Sequence, residues 1–203
     1  MIHRRHVLAS VALCVCIAGA PPGLTHDARA EVPCLIDVLT GTDPFGFTQP
    51  GGAVDIDGDW IVAGSPSEGV DVAGAIYLFK KDGLKWKREA KFVESPPGVQ
   101  AQFGSAVAIS GDRAIAGAHT PGLDAFVFGR AHVYRLVAGV WEEEASLVSS
   151  MPALRDGFGI SVAIEGEVAV VGAIYFDPPA PGKTFVFRWS GSAWIEEAIL
   201  LAA

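Results

Sequence analysis

Residues 103–119 read FGSAVAISGDRAIAGAH, and after a loop residues 129–147 read GRAHVYRLVAGVWEEEASL. The same pattern stands once before and once after. The earlier copy is PGGAVDIDGDWIVAGSP (50–66) followed by GAIYLFKKDGLKWKREAKF (74–92); the later one is FGISVAIEGEVAVVGAI (158–174) followed by GKTFVFRWSGSAWIEEAIL (182–200). Turn glycines recur at Gly58, Gly111 and Gly166, and tryptophans at Trp86, Trp141 and Trp194, with steps of 53 and 55 residues in one series and 55 and 53 in the other. A fixed period of this size marks repeated supersecondary units, none of which buries its apolar face alone.

Each copy holds four short apolar runs. In the middle copy 105–109 alternates small and large residues as a half-buried strand does. Ser110-Gly111-Asp112 is a tight turn, matched by Asp57-Gly58-Asp59 and Glu165-Gly166-Glu167, and glycine takes positive φ there at little cost. Residues 114–118 (AIAGA) form a second strand, and its Gly-Ala end, like Gly64-Ser65 and Gly172-Ala173, leaves room for close backbone approach. A loop of unrelated sequence follows in each copy (67–73, 120–128, 175–181). A third strand covers 75–80, 131–136 and 184–188. The fourth opens with the tryptophan and is rich in charge, as an outer edge strand should be. Helix has no competing claim, because glycine interrupts short β-branched or aromatic runs every few residues.

Four antiparallel strands per period, apolar within and charged at the outer edge, describe all-β architecture made of β-propeller-like blades, about 49–95, 102–149 and 157–203. A repeating sandwich module and a β-solenoid are the alternatives; solenoid turns are much shorter than this period. Residues 31–39 (EVPCLIDVL) stand where an orphan outer strand would precede the first blade. Three blades do not close a propeller, which takes at least four. Either two chains close a ring as a homodimer, or the chain is an open or truncated piece.

The 203 residues are half hydrophobic and only 19% charged, with 24 glycines and 13 prolines. That composition suits a cored domain of short strands and turns. The net charge is −8, with no basic stripe, so nucleic acid and anionic membrane are poor partners. The first 30 residues read as a secretory signal peptide: His3, Arg4, Arg5 and His6, an apolar run over 7–20, the breakers Pro21, Pro22 and Gly23, then Ala28-Arg29-Ala30 as an A-x-A site. The apolar run is too short to span a bilayer, and cleavage would leave no transmembrane span. A secreted, cell-surface or periplasmic location is expected. Cleavage would also leave Cys34 as the single thiol, inert by default and otherwise available to a second chain.

Phe-Gly, then Ser/Ala-Val-Ala-Ile, then Gly-Ala-(Pro) resembles the FG-GAP repeat of integrin α-subunit propellers and their bacterial relatives. Phe103-Gly104 with Gly117-Ala118-His119, and Phe158-Gly159 with Gly172-Ala173-Ile174, carry the resemblance; the first copy begins with Pro50-Gly51 instead but keeps Gly64-Ser65-Pro66. It covers about residues 45–200. The resemblance implies a secreted or surface β-propeller used for adhesion or binding. It also raises calcium, since integrin-like blades often carry a D-x-D-x-D-G loop. Here Asp55-Ile56-Asp57-Gly58-Asp59 puts glycine at the fourth position, and the matching stretches of the other copies lack the first two acids. Calcium takes six or more oxygens, so the expectation is no cofactor and no metal, with a charged hairpin turn at this place.

Catalytic signatures are missing. No H-x-x-x-H, C-x-x-C, G-x-S-x-G or phosphate-loop pattern occurs. His119 and Asp124 are the one base-and-orienter pairing that the loops offer; a histidine at the family's proline position reads more simply as tolerated. The expectation is a non-enzyme binding an unidentified protein or glycan through one rim, with Ser67, Glu68, Asp71, His119, Asp124, Tyr175 and Asp177 as candidate rim residues. A carbohydrate- or phosphoester-active propeller is the alternative from a different class, and would gather His119, Asp124 and further acids at one rim. The recurrent tryptophans read as packing between blades rather than as a sugar platform. The acidic runs 142–144 and 196–197 read as solvated edge charge.

Overall fold

The computed structural model describes residues 51–69, 72–94, 101–119, 128–152, 156–174 and 182–201. Among them the chain forms twelve strands and no helix. The first blade holds β1 (Ala53–Asp57), β2 (Trp60–Ser65), β3 (Ala75–Asp82) and β4 (Lys85–Val93). The middle blade holds β5 (Ala106–Ser110), β6 (Arg113–Ala118), β7 (Arg130–Val137) and β8 (Val140–Leu147). The last holds β9 (Ser161–Glu165), β10 (Val168–Ala173), β11 (Lys183–Trp189) and β12 (Trp194–Leu201). Each is an open antiparallel sheet with its strands in sequence order. The proposed signal peptide, the 31–39 strand and Cys34 lie outside the described residues.

Local chemistry explains the boundaries. The fourth strands of the first two blades begin one residue before their tryptophans, because the hairpins pair Asp82 with Lys85 and Val137 with Val140. In the last blade Trp189 pairs with Trp194 across a longer turn, in which Ser190 Oγ accepts from Ala193 N and its backbone amide donates to Ala193 O. All three blades then break register at one place: after Leu78, after Val133 and after Val186. The residue left without a cross-strand partner is a glutamate each time, Glu89, Glu144 or Glu197. An extra residue bends an edge strand and re-aims its side chain.

The blades pack face to face. Innermost strand β5 lies against β1, and β9 against β5. Val62, Ile76 and Leu78 of the first blade share one core with Phe103, Val107, Ile109, Ala116, Tyr134 and Trp141 of the middle one. Ile115, Val133 and Leu147, on the other face of the middle blade, share a second core with Phe158, Ile164, Val171, Phe185 and Phe187. Alternation along β6 therefore feeds two cores.

The Phe-Gly and Gly-Ala elements meet at these junctions. Phe103 is fully buried, and its amide donates to Ala73 O of the preceding blade at 3.0 Å. Gly104 then donates to Gly117 O of its own blade at 2.9 Å and presses its carbonyl on Gly64 of the blade before; a Cβ on Gly64 would sit 1.9 Å from that oxygen. Gly159 repeats the arrangement, donating to Gly172 O and pressing on Gly117. The motif is a backbone wedge between consecutive blades, and only glycine leaves space for it.

Candidate functional site

Two ends of the blade stack are defined by hydrogen bonds. At one end, Asp55 Oδ2 accepts from Ile109 N at 2.9 Å, Asp57 Oδ2 from Gly111 N at 2.6 Å, and Ser110 Oγ from Gly166 N at 3.4 Å. The turns joining the first and second strands of each blade therefore line up. Because the strands are antiparallel, the connections that follow β2, β6 and β10 leave at the opposite end, which is the rim anticipated from sequence. The acidic run Asp55-Ile56-Asp57 at the end of β1 is thus an inter-blade clasp. Its first and third residues point to one face, as period-two alternation requires, and their oxygens hold amides of the middle blade. Among the described residues no three His, Cys, Asp or Glu side chains gather as a cation site.

Of the candidate rim residues, Ser67, Glu68 and His119 lie within the described residues; Asp71, Asp124, Tyr175 and Asp177 lie outside them. Glu68 is buried and structural. It accepts from Tyr77 Oη on both oxygens at 2.7 Å and pairs with Lys91. Burial pulls the Lys91 ammonium down, while the hydrogen bond and charge of Glu68 pull it up, and the net shift is upward. A carboxylate spent this way ties the β2–β3 connection to the sheet. His119 directly follows β6, half-buried, with Nδ1 at 2.8 Å from Ser105 Oγ. Burial holds its pKa below the usual histidine value. A hydroxyl bonded to a neutral imidazole can relay a proton. The other blades have Gly52 and Pro66, or Ile160 and Ile174, at these positions, so the pair belongs to the middle blade alone. Ser67 is partly exposed on the same rim. The structure brings His119 to Ser105, which the sequence reading did not pair.

The acidic runs correct an expectation. His132 Nδ1 lies 2.9 Å from a Glu143 carboxylate oxygen, which accepts from it when Nδ1 carries the proton, and the Glu144 side chain is 8% exposed. Arg113 reaches Glu144 through Nε at 2.9 Å and a second nitrogen at 3.1 Å. Trp194 Nε1 of the last blade donates to the same carboxylate at 2.9 Å, and the guanidinium lies 5.2 and 5.6 Å from the Trp189 and Trp194 rings. The hydrogen bond to Glu144 holds the Arg113 pKa above its ordinary value. The run was legible as charge; the bulge that turns its third member inward was not. Of the recurrent tryptophans, Trp141 and Trp194 pack between blades, whereas Trp86 packs on Tyr77 and Phe79 of its own blade. Trp141 is buried and meets Trp60 of the first blade edge-on, centroids 5.3 Å apart.

Stacked four-stranded antiparallel sheets with a glycine wedge at every junction define a propeller-type blade repeat. The family model described as "FG-GAP repeat" matches residues 86–134 and 141–187, and the chain is an FG-GAP repeat protein. Both matches begin at a tryptophan of a fourth strand and end in the third strand of the next blade, so the family's repeat frame is offset from the sheets by one strand. No curated protein matches the chain. No helix among the described residues is long and apolar enough to cross a membrane.

Proposed function

We propose that the chain is an exported, non-enzymatic binding module that presents a protein- or glycan-recognition surface on the rim formed by 67–73, 120–128 and 175–181. The observation that carries this reading is the contrast between frame and rim. Wedges, clasps and bulges repeat from blade to blade, whereas the three connections share no sequence and leave the frame at one end. Binding residues concentrate on loops held by a rigid scaffold. The basic, apolar and A-x-A sequence of residues 1–30 supports export.

The test uses the full chain on a printed glycan array and a panel of immobilised extracellular proteins, beside a variant whose 120–128 segment is a Gly-Ser linker of equal length. Binding that the linker variant loses, with an unchanged thermal midpoint, is the expected result. Turnover of p-nitrophenyl glycosides or phosphates that falls with His119→Gln would replace this reading with an enzymatic one.

A further inference from the structure

We infer that the outer face of the last blade is a docking surface for one kind of occupant: a further blade of this same repeat, entering with its own Phe-Gly wedge. The inference stands apart from what the rim binds.

The face copies one that is already docked. On the middle blade, Ala108, Ile115, Val133, Ala145 and Leu147 belong to the core shared with the last blade. Strand registers put Ala163, Val170, Val186, Ala198 and Leu200 at the same places on the last blade. The two sets match residue for residue, except that Val170 replaces Ile115. Leu147 is 4% exposed, whereas Leu200 is 55% exposed, and Ile195 on the same face is also exposed. Contiguous bare apolar surface of this kind marks a place of interaction. The other end of the series offers no such face, because Ala63, Ala75, Tyr77 and Phe79, on the outward side of the first blade, are 4% exposed or less.

Two glycines specify what lands on the open face. Gly117 is needed because the Gly159 carbonyl of the next blade presses on it, and Gly129 because the Phe158 carbonyl does. Gly172 and Gly182 hold the same two places on the last blade. A Cβ on Gly172 would closely meet only the rotatable Ser161 hydroxyl, and one on Gly182 would come no nearer than 3.1 Å to the Ala173 carbonyl. Neither has a positive φ. Glycine at both places thus lacks a strong reason within the blade and gains one when a Phe-Gly backbone arrives. A partner that contributed apolar side chains alone would have no use for bare backbone at these two points.

The clasp extends the same series. Asp57 accepts from Gly111 N and Ser110 from Gly166 N, each across a junction. Glu165 holds the next acceptor position and is exposed. The turn between the first two strands of an arriving blade would bring it an amide.

The test appends a second copy of residues 149–201 directly after Leu201 of the full chain, which keeps the repeat in frame. Hydrogen exchange read on the intact chain is expected to show about a third more slowly exchanging amides than the parent, because a fourth blade orders beside three. Gly172→Ala or Leu200→Glu in the original last blade should abolish that gain while leaving the parent chain's melting unchanged. Replacing Phe-Gly by Ala-Val in the appended copy alone should abolish it too. Added residues that stay unprotected, or protection indifferent to these three changes, would overturn the inference. Light scattering on the parent chain examines the rival occupant: a dimer that Leu200→Glu dissociates would give the face to a second copy and overturn it as well. None of these outcomes bears on the glycan and protein panel, so the two readings fail separately.

Discussion

The middle and last blades are built from nearly the same repeat, and they differ in what lies against them. The middle blade is sandwiched, and its bulge glutamate, Glu144, is buried in an ion pair with Arg113 beneath two tryptophans of its neighbour. The last blade has the same bulge, but Glu197 pairs with Arg188 on a half-exposed surface. At the Arg113 position it carries Val168. A charge in this framework becomes energetically consequential only when a following blade removes it from water. The role of a repeat position is therefore set by the junction it faces.

Substitutions at paired positions can break or sharpen that contrast. The largest effect is expected from Arg113→Ala, which strips the Glu144 side chain of its two short guanidinium bonds and leaves it the Trp194 donor and the Arg135 guanidinium at 3.6 Å. Loss of one partner from a buried pair costs about 3–5 kcal/mol, whereas Arg188→Ala on the last blade should cost under about 1 kcal/mol. Urea titration of both variants checks this, and equal losses would mean that burial does not separate the two blades. Next comes the glycine pair. Gly117→Ala forces a Cβ into the Gly159 carbonyl, within 1.8 Å, and should cost at least the roughly 1–3 kcal/mol of an overpacked core. Gly172→Ala meets a movable Ser161 hydroxyl and should be nearly neutral in the monomer. A Gly172→Ala variant as unstable as Gly117→Ala would show that the last blade needs glycine for reasons of its own.

The smallest effect is a gain. His132 stands where the last blade has Phe185, edge-on to Phe103, and its Nε2 is buried with no hydrogen-bond partner among the described residues. His132→Phe removes that unsatisfied atom and leaves Glu143, which is partly exposed, to water. Thermal unfolding should show stabilisation of about 1 kcal/mol; destabilisation would mean that the His132–Glu143 bond outweighs the orphaned nitrogen.

Much of the architecture could be read without coordinates. Period-two alternation named the strands, and glycines at the turns set their order. The recurring Gly-Ala pairs announced close approach before the structure showed what approached. The candidate site was less legible. Glu68 was nominated for the rim because it lies in a variable loop, yet its carboxylate is consumed by Tyr77 of β3 and Lys91 of β4, which reach it only once the sheet has formed. Ser105 was overlooked because nothing in a single strand start marks it as a partner for His119. Asp55 and Asp57 looked like part of a cation loop. Their oxygens face amides more than fifty residues away, a relation that appears only when β5 lies against β1.

By itself, then, the sequence determined the blade: which residues pair, where chains turn, and which side chains are apolar, because those follow from alternation and from glycine's conformational range within one repeat. The tertiary structure alone decided what each polar residue does. Bulges rotate Glu144 into a junction, stacking converts Asp57 and Ser110 into clasps, and the open face of the last blade leaves Leu200 in water. These outcomes depend on which neighbour excludes solvent from a given face, and a local pattern does not contain its neighbour.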